Sequence, residues 1–470
     1  MTASTRTPWT LRAPIVALAL LFVASCSTEE VLDVTDPDIV DPAVVSTPAG
    51  ARALYSGALG EFIVAIVGDN GGIEGQILVS GSFTDELMNS ETFPTRREYD
   101  IRAIDIRNGT LLTVFRNLQR ARNLLEASAA ALEKFSPTPA YQVAESFALA
   151  GMAYVFAGEN YCSGVPFSTP FPPPATYGAP LATSEIFTVA IERFDSALAI
   201  LAGVDTVTSN PDTIAIRRLN LARVGKARAL LDRGQTGDGA AAAAVAAAVP
   251  LNFVYNLTHT DNSDRQRNGI FAFTKQNERF SVANVKGTNG LNYRGTPDKR
   301  VTAARSFTIN SRGDTIRNVG FDNATEQWDP GKYPAITTPT PIATGIEARL
   351  IVAENIFSGG GTAWLDTLNM LRDSAKGGVG GLLALTDPGT DTARVSLIFR
   401  ERAFWNYLTG HRLGDMRRLM RQYGRLEDNV FPTGAYFKGG GAVYGDDVNL
   451  PVPFDELNNK NFTGCFDRNP

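Results

Sequence analysis

The strongest constraint on this chain is a series of apolar stretches with helical period, each stopped by glycine or proline. In 107–134, Leu111, Leu112, Phe115, Leu118, Ala121 and Leu125 recur at helical spacing, which lines them along one helix face. Pro137 and Pro139 follow that stretch. Residues 144–161 (AESFALAGMAYVFAGENY), 184–203 and 213–233 repeat the pattern, with Gly203 and Gly234 as stops. An earlier helix runs over 49–67 to Gly68, and an alanine-rich one over 240–248 to Pro250. Helical pattern returns at 345–373 and 392–422. Such helices must bury their apolar faces on one another, so the expected fold is mainly α, a TPR-like α/α stack of helix pairs.

Between the helices the texture differs. Residues 68–82 are glycine-rich and then polar, and read as a long surface loop. Six prolines in 162–182 make a rigid irregular connection. From 251 to 343 the chain is rich in Asn, Asp, Thr and Gly, with short alternating runs such as RSFTINS. This predicts loops with a few strands, where binding function tends to sit. The tail, 424–470, is loop-rich with the run LPVPF.

The N-terminus sets the compartment. Arg6 and Arg12 precede ten apolar residues, Ile15 to Ala24. That run is too short to span a bilayer, which takes about 20 residues, and fits a secretory signal. No other segment reads as a membrane span. Val23-Ala24-Ser25-Cys26 resembles a bacterial lipobox, which implies cleavage before Cys26 and a lipid on its thiol. Acyl chains anchor at about 0.8 kcal/mol per buried CH₂. The acids that follow, with Pro37 and Pro42, make an unpacked tether and resemble a surface-export signal. The formal net charge of −5 argues against nucleic acid, which wants basic patches. Beyond Cys26 only Cys162 and Cys465 remain. In an exported chain they form either one disulfide or two separate buried thiols.

Several segments, in order, resemble the SusD/RagB-like nutrient-binding lipoproteins of the bacterial outer membrane. They are AESFALAGMAYVFAGENYCSGVPFS (144–168), SEIFTVAIERFDSALAIL (184–201), NLARVGKARALLDRG (220–234), YRGTPDKRV (293–301), 345–373, RERAFWNYLTGHRLGDMRRL (400–419) and LPVPFDELNNKN (450–461). The chain departs from the family pattern at Cys162, where glycine is usual, and at Thr409, where glutamate is common. It also ends in GCFDRNP. The paired cysteine departures favour the disulfide. The resemblance implies a TPR-like scaffold with a loop-rich, minor-β ligand-facing region. It implies a non-catalytic, surface-exposed lipoprotein of the outer membrane with no cofactor. Such a protein would capture a glycan or peptide and deliver it, as a lid, to a SusC-like TonB-dependent barrel. The organisation expected is a signal (1–25), a lipidated tether (26–48), a helical region (49–250), a loop-rich insertion (251–344) and C-terminal helices with a closing segment (345–470).

Two loops carry the mixture of aromatics, amides and charges that binds oligomers. One offers Asp85, Glu86, Asn89, Phe93, Arg96, Arg97 and Tyr99; the other offers Asn323, Gln327, Trp328, Asp329 and Tyr333. Their aromatics could instead anchor the loops to the core. The signature Gly410, His411, Arg412, Asp415, Arg417 and Arg418 reads as scaffold, although His411 and Asp415 share a helix face and could form an acid/base pair. His259 and His411 are far apart in sequence, which gives no zinc cluster. The stretch DNATEQWDPG lacks an EF-hand pattern, so no metal is expected. Phosphate-cradle and hydrolase-elbow motifs are absent from the sequence. The rival readings are a lipid-anchored glycoside hydrolase, which needs two opposed carboxylates, and a TPR module that binds only proteins.

Overall fold

The computed structural model describes residues 46–169, 175–205, 212–373, 375 and 381–470. The signal, Cys26 and nearly all of the tether lie outside the described residues.

The chain is mainly helical. Helix α1 (Pro48–Val67) starts where the Thr47 hydroxyl accepts from Gly50 N at 3.0 Å, and ends at Gly68 with φ +81°. It is long and apolar enough to cross a membrane, contrary to the expectation that no segment after the leader reads as a span. Half of its apolar window is nevertheless buried inside the fold. Helix α2 (Gln76–Phe83) corrects the expected surface loop at 68–82, since all eight of its residues are buried. Strand β1 (Leu87–Asn89) and helix α3 (Pro94–Ile101) follow. Strand β2 (Val165–Pro166) pairs with β3 (Pro180–Leu181), and β4 (Val254–Leu257) with β10 (Thr340–Thr344). The scaffold helices are α4 (Gly109–Phe135), α5 (Ala140–Asn160), α6 (Thr183–Ile200), α7 (Thr213–Arg233), α8 (Asp238–Ala247), α9 (Gly345–Ser358), α10 (Trp364–Arg372), α11 (Asp391–Trp405) and α12 (Arg412–Arg421). Glycines 359–361 split the 345–373 stretch into α9 and α10, as 406–411 split 392–422 into α11 and α12.

The helices stack in chain order. Helix α1 packs on α4, α4 on α5, α5 on α6, α6 on α7, α7 on α8, α8 on α9, and α9 on both α10 and α11. Asn108 caps α4 by accepting from Leu111 N at 2.9 Å. Its stripe of Leu111, Val114, Phe115, Leu118, Ala121 and Leu125 is buried. Close packing of α5, α6 and α7 depends on two missing side chains. The Phe194 ring of α6 lies where a Cβ on Gly151 of α5 would come within 2.9 Å, and one on Gly225 of α7 within 2.2 Å. The small-residue pattern of 144–161 thus reflects a ring lodged between two helix backbones.

Helix α12 and the two residues before it hold the signature, and all of its residues are buried. Gly410 has φ +78°, and a Cβ there would stand 2.6 Å from Phe156. Arg412 forms a two-pronged pair with Asp85, at 2.7 and 2.8 Å. Asp415 accepts from Arg402 and Arg418. Arg418 also reaches Glu354 of α9 at 2.5 Å and Asp232 of α7 at 3.1 Å. Arg417 donates to the carbonyls of Gly158, Glu159 and Tyr161, which satisfies the C-terminal end of α5. His411 Nε2 lies 3.0 Å from both Arg228 Nη1 and Glu347 Oε1. Burial, and then Arg228, push its pKa down. An acid/base pair of His411 and Asp415 has no route to solvent, since both are buried.

Cys162 and Cys465, 303 positions apart in sequence, are bonded, with Cα atoms 6.0 Å apart. Around the bond the tail lies along the end of α5. Cys162 N donates to Leu450 O at 2.9 Å, Leu450 N to Asn160 O at 2.8 Å, and Phe466 N to Ser163 O at 2.8 Å.

Gly225→Ala should lower stability by about 1–3 kcal/mol through overpacking against Phe194, despite the better helix propensity of alanine. Thermal denaturation measures this, and Gly203→Ala, in open space, serves as control. Burial alone would raise the Asp415 carboxyl, but Arg402 and Arg418 outweigh it and hold it well below the usual carboxylate range. Its contribution is therefore present above an unfolded pKa of about 3.9 and lost as pH falls below it. Asp415→Asn should cost about 3–5 kcal/mol at pH 7, read from urea midpoints, and the gap should narrow as pH drops through 4.

Candidate ligand-binding groove

The two loops singled out above converge. Strand β1 pairs with β5 (Phe280–Val282), Leu87 opposite Val282. Strand β6 (Ala303–Arg305) pairs with β9 (Trp328–Pro330), Arg305 opposite Trp328. The hairpin β7 (Phe307–Ile309) and β8 (Thr315–Arg317) projects beyond them. Gln327 is the staple between the two loops. Its side chain donates to Phe280 O at 2.9 Å and accepts from Ser90 Oγ at 3.1 Å. Asp322 N donates to Ser90 O at 3.0 Å.

A third segment completes the site. Lys438 Nζ donates to Asn89 Oδ1 at 2.8 Å and Glu91 O at 2.6 Å, and pairs with Asp322 at 2.9 Å. It therefore ties both loops to the tail. Gly439, Gly440 and Gly441 follow with φ of 72°, 72° and 75°, a left-handed run that only glycine adopts without strain. Together the three segments enclose an open groove of about 820 Å³, walled by Met88, Arg97, Arg294, Glu326 and Phe437 among others.

Most of the residues expected to touch ligand are buried, and eight of the twelve make their contacts inside the fold. Asp85 pairs with Arg412 and accepts from Leu291 N. Glu86 accepts from Leu408 N at 2.8 Å. Asn89 holds Lys438, and its own N donates to Asp100. Arg96 is locked to Glu74 and Glu91. Tyr99 stacks against Phe280, Gln327 is the staple, and Asp329 is buried within β9, opposite Ala304. The Tyr333 hydroxyl donates to Leu408 O. Acids, amides, aromatics and one arginine here work inside the fold, where a buried polar group needs a partner. Phe93, Arg97 and Asn323 are exposed, and Trp328 is half-buried.

Arg294, Phe437 and Lys438 were missed as candidates. The signal available for two of them was the run FKGGG (437–441), an aromatic and a cation beside three glycines. Phe93 and Phe321 both face Arg279, whose guanidinium stands 5.4 and 4.4 Å from their rings. Burial tends to raise the Asp322 carboxyl, but hydrogen bonds from Thr325 and Lys438 bring it below its ordinary value.

A second recess of about 950 Å³ lies between the α9–α10 turn, α11 and the segment after α12, with Trp364, Arg394 and Tyr423 on its walls. None of the sequence candidates lines it. His259 is buried, its Nε2 3.0 Å from Thr340 Oγ1, with its pKa pushed down to about 4 by burial. Among the described residues no three His, Cys, Asp or Glu side chains gather as metal ligands.

No family model matches the sequence, and no curated protein does either. Solved structures do. A SusD superfamily protein from Parabacteroides distasonis superposes with a TM-score of 0.63 at 15% identity, over 88% of this chain and 98% of that one. A SusD/RagB family protein from Bacteroides thetaiotaomicron gives 0.60 at 12% identity, over 87% and 94%. Surface glycan-binding protein A from Bacteroides thetaiotaomicron, in complex with laminarihexaose, gives 0.60 at 12% identity, over 89% and 99%. The fold is therefore SusD-like, TPR-type helices included.

Burial, with a smaller push from Asp85, raises the Glu86 carboxyl to about 8, against the pull of Leu408 N, Arg412 and Lys332. A raised carboxyl costs nothing below its unfolded pKa of about 4.3 and destabilises increasingly as pH climbs to 8. Glu86→Gln, which keeps the acceptor for Leu408 N, should gain in melting temperature over the parent between pH 5 and pH 8. A constant difference across that range would contradict it.

Proposed function

We propose that this chain, built on the SusD-like fold, belongs to the SusD/RagB-like family and captures an oligomeric glycan at the cell surface. The lipobox-like Cys26 would anchor it to the outer membrane, and the acidic tether would give it reach. It would deliver its ligand as a lid to a SusC-like TonB-dependent barrel. The observation that carries this reading is the open groove formed by loops on a SusD-like helical scaffold. Laminarihexaose in the glycan-binding neighbour favours glycan over peptide.

A binding role also fits the chemistry of the groove better than hydrolysis does. A glycosidase acid needs a raised pKa. Asp322 is lowered and tied to Lys438, and Glu91 is held by Arg96 and Arg279. A module that binds only proteins has no need of an open groove of this volume.

Affinity purification of the tagged full-length protein from its native outer membrane tests the assignment. Mass spectrometry should recover a TonB-dependent barrel in stable amounts. Cys26→Ala should abolish labelling by a fatty-acid probe and shift the protein to the soluble fraction. Recovery of the lipidated protein alone would sink the obligate-lid role.

A further inference from the structure

At the Arg294 wall of the groove, with Trp328 and Arg305 beside it, the side chains hold more positive charge than their surroundings balance. Arg294 and Arg305 both stand against the Trp328 ring, with guanidinium carbons 4.9 and 6.0 Å from its centroid. Each reaches the same carboxylate, Glu326, at 3.9 Å, beyond hydrogen-bonding distance. Glu326 is 60% exposed and accepts instead from Trp328 Nε1 at 3.3 Å. Among the described residues no other carboxylate lies within ion-pair distance of either arginine. Both side chains are about four-fifths withdrawn from solvent. Arg305 Nε is buried without a partner, and its Nη1 makes only a 3.4 Å contact to Gln327 O.

Two half-desolvated guanidiniums sharing one solvated carboxylate is an unfavourable arrangement by itself. An oxyanion seated between them would supply the missing acceptors, since the arginine fork matches planar carboxylate and sulfate oxygens. The wider groove points the same way. Arg97 is exposed, rests over Tyr436 at 5.4 Å, and among the described residues has no carboxylate within ion-pair distance. The whole protein is acidic, with net charge −5, so this excess is local. Met88 and Phe437 supply apolar wall along the same groove.

We propose that the Arg294 wall of the groove, with Trp328 beside it, is an anion subsite, in which Arg294 and Arg305 hold the carboxylate or sulfate of an acidic sugar unit. The inference rests on the glycan-capture reading and narrows it to charged glycans.

Calorimetric titration of the purified protein tests it with hexagalacturonate, a sulfated galactan hexasaccharide, neutral laminarihexaose and a poly-glutamate peptide, each at 25 and 250 mM salt. One charged glycan should bind at least tenfold more tightly than laminarihexaose at low salt and weaken as salt rises. The arm that binds separates carboxylate from sulfate. Arg294→Met with Arg305→Met should cut that affinity tenfold or more, with helical circular dichroism unchanged as the folding control. The salt response of the parent protein gives a second readout that needs no variant. Equal or tighter binding of laminarihexaose overturns the anion subsite and leaves glycan capture standing. Binding of poly-glutamate alone overturns both. Binding of none of the probes, with a barrel still recovered from the membrane, overturns the subsite and leaves the uptake role.

Discussion

One guanidinium gathers four helices. Arg418 of α12 meets Asp232 of α7, Glu354 of α9 and Asp415 of its own helix, and Asp415 is shared with Arg402 of α11. Two neighbours extend the reach: Arg417 to the end of α5 and Arg412 to Asp85, just beyond α2. Burying such charges costs several kcal/mol per ion, which good geometry roughly repays. Their value lies in specificity. The helix faces they join are rich in alanine and glycine, as in α5, and such smooth surfaces slide at small cost. Planar arginine forks tolerate one register. The groove inherits that fixity, because Asp85 and Glu86 lie on the way from α2 to β1 and are held by Arg412 and the Leu408 backbone.

The helices were legible where period and punctuation agreed. Helix α7 falls at 213–233 as read, because Asp212 caps it by accepting from Ile214 and Ala215 N and Gly234 stops it in the left-handed region. Helix α2 was misread as loop. It is buried on every side, so it has no polar face to mark a period, and the glycines before it suggested a turn that stopped earlier. The 345–373 and 392–422 stretches kept their helical composition through breaks, where glycines 359–361 and the turn before Gly410 interrupt them.

The groove was legible in place and less so in detail. Both chosen loops border it, since polar segments that must be ordered need each other for hydrogen bonds. Composition could not separate residues that build such a loop from residues that face out of it. Gln327 and Asn89 look like sugar-binding amides and instead hold strands and a lysine together. Arg294 went unnoticed because its role depends on Arg305 and Trp328, which only strand pairing brings alongside. Phe437 and Lys438 sit more than a hundred positions from either loop, and no local pattern reports that distance.

The bond between Cys162 and Cys465 turns the intervening chain into a covalent ring. That ring contains the 321–333 loop, Arg294, the FKGGG turn and the signature helix. A single proteolytic cut anywhere within it opens the ring without dividing the molecule. A nick in an exposed stretch such as the β7–β8 hairpin would leave both pieces tethered and the ion-paired helices in place. On gels such a nicked protein would run as one band until reductant is added. A surface built from exposed loops can in this way endure protease attack without shedding them.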